Sequence, residues 1–249
     1  MRNLISRRIP RSTWRAATLG LLAVALVSPG LSAAGPTESS VPQDERYWNF
    51  RVFLDEREIG YHEFRVVSEG GTKRVQSDAR FDVKILFFNA YSYRHSNAET
   101  WRNGCLAHIQ SSTDANGDRT VVEGNQGEAG FELYAAEDNR VLGDDCVRTF
   151  SYWDPSMLRA GSLLNAQTGE LMPVTVEEYG ADLLLLGNRE IPTRRLQITM
   201  EEGVIDLWYH RDTGRWLALE APTEGGRVLR YEPASPPLDP SGGERLAMD

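Results

Sequence analysis

The sequence predicts a mostly β protein: a strongly curved antiparallel sheet, forming an open or half barrel, with one or two short helices. Three observations predict it. Apolar and polar residues alternate in short runs, turn residues separate the runs, and helix signals are too few to cover roughly ten strands on both faces. A sheet that lacks helices must cover itself, by curling toward a barrel or by folding into a sandwich.

The first element is the clearest. In "YWNFRVFLDE" Trp48, Phe50, Val52 and Leu54 fall on one face, with Asn49, Arg51 and Asp55 on the other. Turn signals at residues 55–58 and at "EGGT" extend it into a meander of hairpins. "CLAHIQSSTDANGDRTVVEG" reads as a further hairpin with Asn116 and Gly117 at its tip. In "FDVKILFFNAYSYRHSNAETW", Phe81, Val83, Ile85 and Phe87 oppose Leu86 and Phe88, so both faces are apolar. The main helix signal is "DPSMLRAGSLLNAQTGE", where Asp154 can cap, Pro155 suits the first helical position, and Met157, Leu158 and Leu164 offer an apolar side. "GVIDLWYHRDTGRWLALEAPTEGGRVLRYE" reads as three strands joined at "RDTG" and "TEGG", because Gly214, Gly225 and Gly226 fall where tight turns need positive φ.

The N-terminus carries five arginines and no acidic residue, then the apolar run "AATLGLLAVALV" and the small residues Ser32 and Ala34. This is the pattern of a secretory signal cleaved after residue 34, and the run is shorter than the about 20 apolar residues of a membrane span. Arg7 and Arg8 fit a twin-Arg signal, although Pro10 sits where an apolar residue is wanted. The expected compartment is the periplasm, with no integral span after cleavage. The organisation read from composition is a signal at 1–34, a flexible leader at 35–44, one β domain at 45–233 and a Pro-rich disordered tail at 234–249.

Charge narrows the partners. The chain has a formal net charge of −9, and cleavage removes five arginines with no acidic residue, which leaves −14. Nucleic acid and anionic membrane surfaces are therefore poor partners. The two cysteines, Cys105 and Cys146, are an even count in an exported chain and suggest one disulfide, against the alternative of two buried thiols.

Motifs for catalysis or metal binding are weak. "DANGD" opens like an EF-hand loop, but Arg119 stands where Gly is required and Asn125 where the bidentate Glu belongs. The glycines of "GNQGEAG" lack the dinucleotide pattern, and His62, His95, His108 and His210 offer no helical zinc spacing. No metal and no cofactor is expected. His95 and Glu99 share a strand face and could support acid–base chemistry if a third group joined them, although a solvated face is the simpler reading.

The aromatic residues carry more information. They concentrate in the expected strands, where packing alone favours them, and the competing reading is a concave apolar face for a lipid-like or other hydrophobic molecule. Strands apolar on both sides with no helices to cover one face point to a hollow. The residues expected to line it are Trp48, Phe50, Phe87, Trp208 and Trp216, although strand parity equally allows Leu207 and Tyr209 in place of Trp208.

The segments "YWNFRVFLDEREIGYHEF", "VKILFFNAYSYRHSNAETWRNGCL", "SSTDANG", "CVRTFSYWDP", "LLNAQTGE" and "IDLWYHRDTGRWLALE…GGRVLRY" resemble a family of exported bacterial proteins known only as a domain of unknown function. The resemblance covers residues 47–231. That family is in turn distantly similar to periplasmic proteins with an open, curled antiparallel sheet, among them the lipoprotein carriers LolA and LolB. The resemblance implies a half-barrel with a hydrophobic concave side and carries over no catalytic residue. The expected function is noncatalytic binding of a hydrophobic molecule. The alternatives are an envelope assembly or interaction protein, and an enzyme using His95 and Glu99.

Overall fold

Alternation along residues 44–54 becomes the first strand of a continuous antiparallel sheet. The computed structural model describes residues 44–85, 88–135, 138–143, 146–156, 160–223 and 225–235. The signal expected at 1–34 lies outside them, as do the expected leader and tail apart from Asp44, Ala234 and Ser235.

Eight strands run as a meander: β1 (Asp44–Leu54), β2 (Arg57–Glu69), β3 (Thr72–Ile85), β4 (Phe88–Arg102), β5 (Cys105–Ala115), β6 (Asp118–Gln126), β7 (Phe131–Ala135) and β8 (Asp138–Leu142). A small hairpin follows, β9 (Ser162–Leu164) and β10 (Leu171–Pro173). A second meander consists of β11 (Thr175–Leu186), β12 (Arg189–Met200), β13 (Gly203–His210), β14 (Trp216–Pro222) and β15 (Val228–Pro233). The chain then returns to its start, because β15 pairs with β1 through Val52 and Tyr231. One thirteen-stranded sheet results, with β11 at one edge and β8 at the other. The edges do not pair, so the sheet curls without closing into a barrel.

Local chemistry sets the turns. Asn116 and Gly117 have φ of 58° and 98°, the two left-handed positions of a tight hairpin, and the Asp114 carboxylate accepts from the Gly117 N–H at 2.9 Å. Gly60 has a different role: a Cβ there would lie 1.8 Å from the Arg80 carbonyl, so only glycine lets β3 approach β2 beside the bulge at Val52 and Phe53.

Register then decides which residues face inward. Trp48 pairs with Phe64, Phe50 with His62, His62 with Ala79, and Ala79 with His95, so these share the concave face. Phe50, Val52, Ile109, Leu207 and Tyr209 on that face are almost completely buried.

Among the described residues of 154–170 the expected helix is not formed. Asp154 does accept from the Ser156 N–H at 2.9 Å, but the helical geometry is a 3₁₀ turn at residues 155–156, and among the described residues there is no α-helix. Leu163 and Leu164 belong to β9 instead. Both are fully buried, on opposite faces of this strand, which pairs with β10 and donates the Leu164 N–H to the Arg148 carbonyl, while Gly161 weakens a helix here by about 1 kcal/mol.

Residues 146–156 and 160–174 cross the concave face as a strap. The Val147 carbonyl accepts from the Leu106 N–H at 2.8 Å, and the Arg148 carbonyl accepts from Leu164 N–H at 2.7 Å. Tyr209 donates its hydroxyl to the Tyr152 carbonyl at 2.8 Å, and Ser111 donates to the Ala166 carbonyl. The Cys105–Cys146 disulfide, with Cα atoms 4.9 Å apart, ties the start of the strap to β5. The strap and the inward aromatics fill one end of the curled sheet. The other end holds a cavity.

Candidate functional site: an apolar cavity with a polar floor

The cavity has a volume of about 880 Å³, inside the roughly 300–1,000 Å³ range of small-molecule sites. Leu54, Val83, Met200, Ile205, Ala221 and Leu229, near the ends of six strands, form its apolar upper walls. Glu202 and Tyr91, both exposed, stand among them, so the cavity meets solvent at this end. Phe81, Tyr93 and Tyr231 form the middle, with the Phe81 and Tyr93 rings stacked at 5.0 Å.

The floor is polar. Ser77, His95, Asn97 and Glu99 reach it from β3 and β4, and Thr149 and Ser151 from the strap. Glu99 is buried and has four donor groups within hydrogen-bond distance. Asn97 Nδ2 and Thr149 Oγ1 each donate to Oε1 at 2.9 Å, while Trp101 Nε1 and Ser151 Oγ donate to Oε2 at 2.7 and 3.0 Å. The Thr149 and Ser151 hydroxyls also lie 2.7 Å apart, and since each has one proton they share it between this contact and Glu99, a network that anchors the strap to β4.

His62 stacks on Phe64 at 4.1 Å, and its Nδ1 lies 3.2 Å from the Tyr231 hydroxyl. Burial, with a smaller contribution from nearby His95, pushes its pKa down to about 3. Burial likewise lowers His95 to about 4, and its Nδ1 lies 2.9 Å from Thr113 Oγ1. Both imidazoles are neutral at neutral pH. Burial also raises the pKa of Tyr93, Tyr152 and Tyr231, so their phenols keep their protons.

The residues expected to line the hollow separate into three groups. Trp48, Phe50 and Trp216 face the concave side, but they pack into the core beside the cavity and do not line it. Phe50 and Trp216 rings lie 4.4 Å apart, and Trp48 donates its indole N–H to the Trp216 carbonyl at 3.1 Å. Trp208 requires a correction: it sits on the opposite face, where its indole N–H donates to Asp182 at 2.9 Å and the Arg195 guanidinium lies 5.5 Å from its ring. Leu207 and Tyr209 take the inward positions, opposite Leu219 and Trp216. A bulge in β14 makes this possible, because Trp216 and Leu219, three residues apart, both point inward. Phe87 lies outside the described residues.

His95 and Glu99, the pair expected to share a strand face, both line the cavity with Asn97 between them on β4, and each has hydrogen-bond partners of its own: Thr113 for His95, and Asn97, Trp101, Thr149 and Ser151 for Glu99. Sequence reasoning missed His62, Asn97 and Tyr231 as cavity residues. His62 and Tyr231 are 169 residues apart and meet only because β15 joins β1. Asn97 gives no signal beyond its inward strand parity.

A curled, unclosed antiparallel sheet around an apolar cavity with a hydrogen-bonding floor defines a β-barrel-like class of protein. The chain belongs to the family described as "Domain of unknown function (DUF6134)", whose model matches residues 50–234. Among solved structures it is similar to the crystal structure of the beta-barrel-like protein of domain of unknown function DUF1849 from Brucella abortus. Identity is 10% and the TM-score 0.56, over 78% of this chain and 95% of that one, a likeness of fold. No curated protein matches the chain.

Proposed function

We propose that this protein is an exported, noncatalytic binder of a lipid-like or other hydrophobic small molecule, working in the periplasm. The observation that carries the reading is the cavity of about 880 Å³ with apolar upper walls and an outlet to solvent. An acyl chain entering it gains about 0.8 kcal/mol per buried CH₂, enough for a chain of roughly a dozen carbons to offset the ordering cost of binding. The Cys105–Cys146 disulfide supports an oxidising compartment, in keeping with the N-terminal signal pattern. Among the described residues no helix is long and apolar enough to cross a membrane. The curled-sheet architecture also fits the analogy with LolA and LolB, which enters only as an analogy of fold.

Native mass spectrometry of the protein purified from its own envelope tests the reading. A retained lipid-sized mass, lost from a variant in which Ala221→Trp fills the upper cavity, is the expected result. Consistently bare protein that also takes up no added amphiphile would reject it.

A second reading, an envelope interaction protein, draws on the hairpin of β11 and β12, where Leu183 and Leu185 are 59% and 65% exposed on an edge strand. Substituting Leu183→Ser and Leu185→Ser separates the two, since only the interaction reading makes function depend on them.

A further inference from the structure

Among the polar groups lining the cavity, two atoms have no protein partner, His62 Nε2 beside Tyr231 and Asn97 Oδ1 on the floor. Buried polar groups are nearly always paired, so each one left over asks for a hydrogen-bonding counterpart. Asn97 turns its amide toward Glu99, with Nδ2 donating to Oε1 at 2.9 Å, so Oδ1 faces away. Oδ1 is therefore an acceptor in need of a donor.

Charge restricts which donor can come. Among the described residues lining the cavity there is no Lys or Arg, and the charged members are Glu99 and Glu202. The cation closest to the floor along the inner face of β3, Lys73, is held by Asp154 at 2.6 Å and does not line the cavity. His62 and His95 are neutral at neutral pH, because burial keeps their pKa values at about 3 and 4. A carboxylate or phosphate head would find no counter-charge and would have no proton for Asn97. An ammonium head could donate to Asn97 Oδ1 but cannot accept, so with His62 Nδ1 taking the Tyr231 O–H it would leave the His62 Nε2–H unpaired, whereas a hydroxyl or amide serves both.

Building on the hydrophobic-binding reading above, we infer that the cavity selects an uncharged amphiphile whose head carries hydroxyl or amide groups. The head lies between His62 and Asn97, and the apolar tail runs past Phe81 and Tyr231 to the mouth. His62 and Asn97 are then specificity-determining residues. Their strands are separated only by β3, and their Cα atoms stand about 12 Å apart, from two inter-strand spacings and one inward step. A head with more than one hydroxyl therefore fits better than a simple alcohol.

The test compares three probes with related dodecyl-length tails at pH 7.5: 1-monododecanoylglycerol, dodecanoate and dodecylammonium. Quenching or shift of the fluorescence of Trp153, which lines the cavity, reports binding. The expected result is about tenfold tighter binding of the glycerol ester than of either ion, the scale of one well-placed hydrogen bond. Asn97→Leu should remove that preference without weakening the ions. Because it also removes a donor from Glu99, His62→Phe serves as the independent variant and should reduce the same preference. Equal or tighter binding of an ion, or a preference unchanged in both variants, overturns the inference while leaving hydrophobic binding intact. If none of the three probes binds, the binding reading itself falls and takes the inference with it.

Discussion

Glu99 illustrates how one residue can look catalytic in sequence and act as an anchor in structure. It joins β4 to the strap through Thr149 and Ser151 and holds Asn97 and Trp101 of its own strand, and removing the carboxylate strands those donors in a buried site. Each buried donor left unpaired costs about 1–3 kcal/mol, so Glu99→Ala should lower unfolding stability by roughly 3 kcal/mol or more. Urea denaturation measures this, and a loss below about 1 kcal/mol would show that the network is dispensable. The two buried histidines make a separate prediction about pH. Their folded pKa values, about 3 and about 4, lie below the 6.5 of the unfolded chain. Below pH 6.5 the unfolded chain takes up protons that the folded protein refuses, so their stabilising contribution is complete above 6.5 and is lost as pH falls toward the folded values. Stability should drop by a few kcal/mol between pH 6.5 and 4, and His62→Phe should flatten that slope. An unchanged slope would place the titration elsewhere. At this scale little was legible in the sequence: Asn97 and Glu99 show only strand parity, while the partners that decide their roles lie in the strap.

Elements were more legible, and the misses have identifiable causes. Hairpins marked by Asn116–Gly117 and by Gly225–Gly226 form as expected, because their turn geometry is a local property. Parity within β13 was ambiguous, since its residues are apolar on both sides. The β14 bulge settles it by turning Trp216 and Leu219 inward together, leaving Trp208 on the outer face with Asp182 and Arg195. The stretch 154–170 misled because its capping residues are genuine, but buried Leu163 and Leu164 gain more from extended pairing within the strap. Cysteine count alone suggested the disulfide, and the fold brings Cys105 and Cys146 together at the base of that strap. Their sequence separation of 41 corresponds to a chain-entropy contribution of about 4 kcal/mol. Reduction should lower stability by that order and expose the strap to proteolysis before the β meander. Reduced protein that resists protease as well as oxidised protein does would contradict this anchoring role.

For the whole molecule, the decisive feature is that β15 returns to β1. This pairing makes one sheet of the two meanders and brings Tyr231 to His62 across the future cavity wall. The general argument from sequence, that strands without helices must enclose something, anticipated a curled sheet with a hollow. It could not divide the inward aromatics between packing and lining, because that division depends on how far the strap fills the sheet. Phe50 and Trp216 lie in the filled part, while Phe81, Tyr93 and Tyr231 border the open part. The most direct measurement of the central claim is a titration of wild-type protein and the Ala221→Trp variant with a fluorescent dodecyl probe, followed to saturation, with circular dichroism confirming that both remain folded. One saturable site per chain in the wild type, weakened at least about tenfold by filling the upper cavity, is the predicted result, the change corresponding to about 1.4 kcal/mol. Absence of saturable binding, or equal affinity in the folded variant, would contradict the assignment of this cavity as a ligand site.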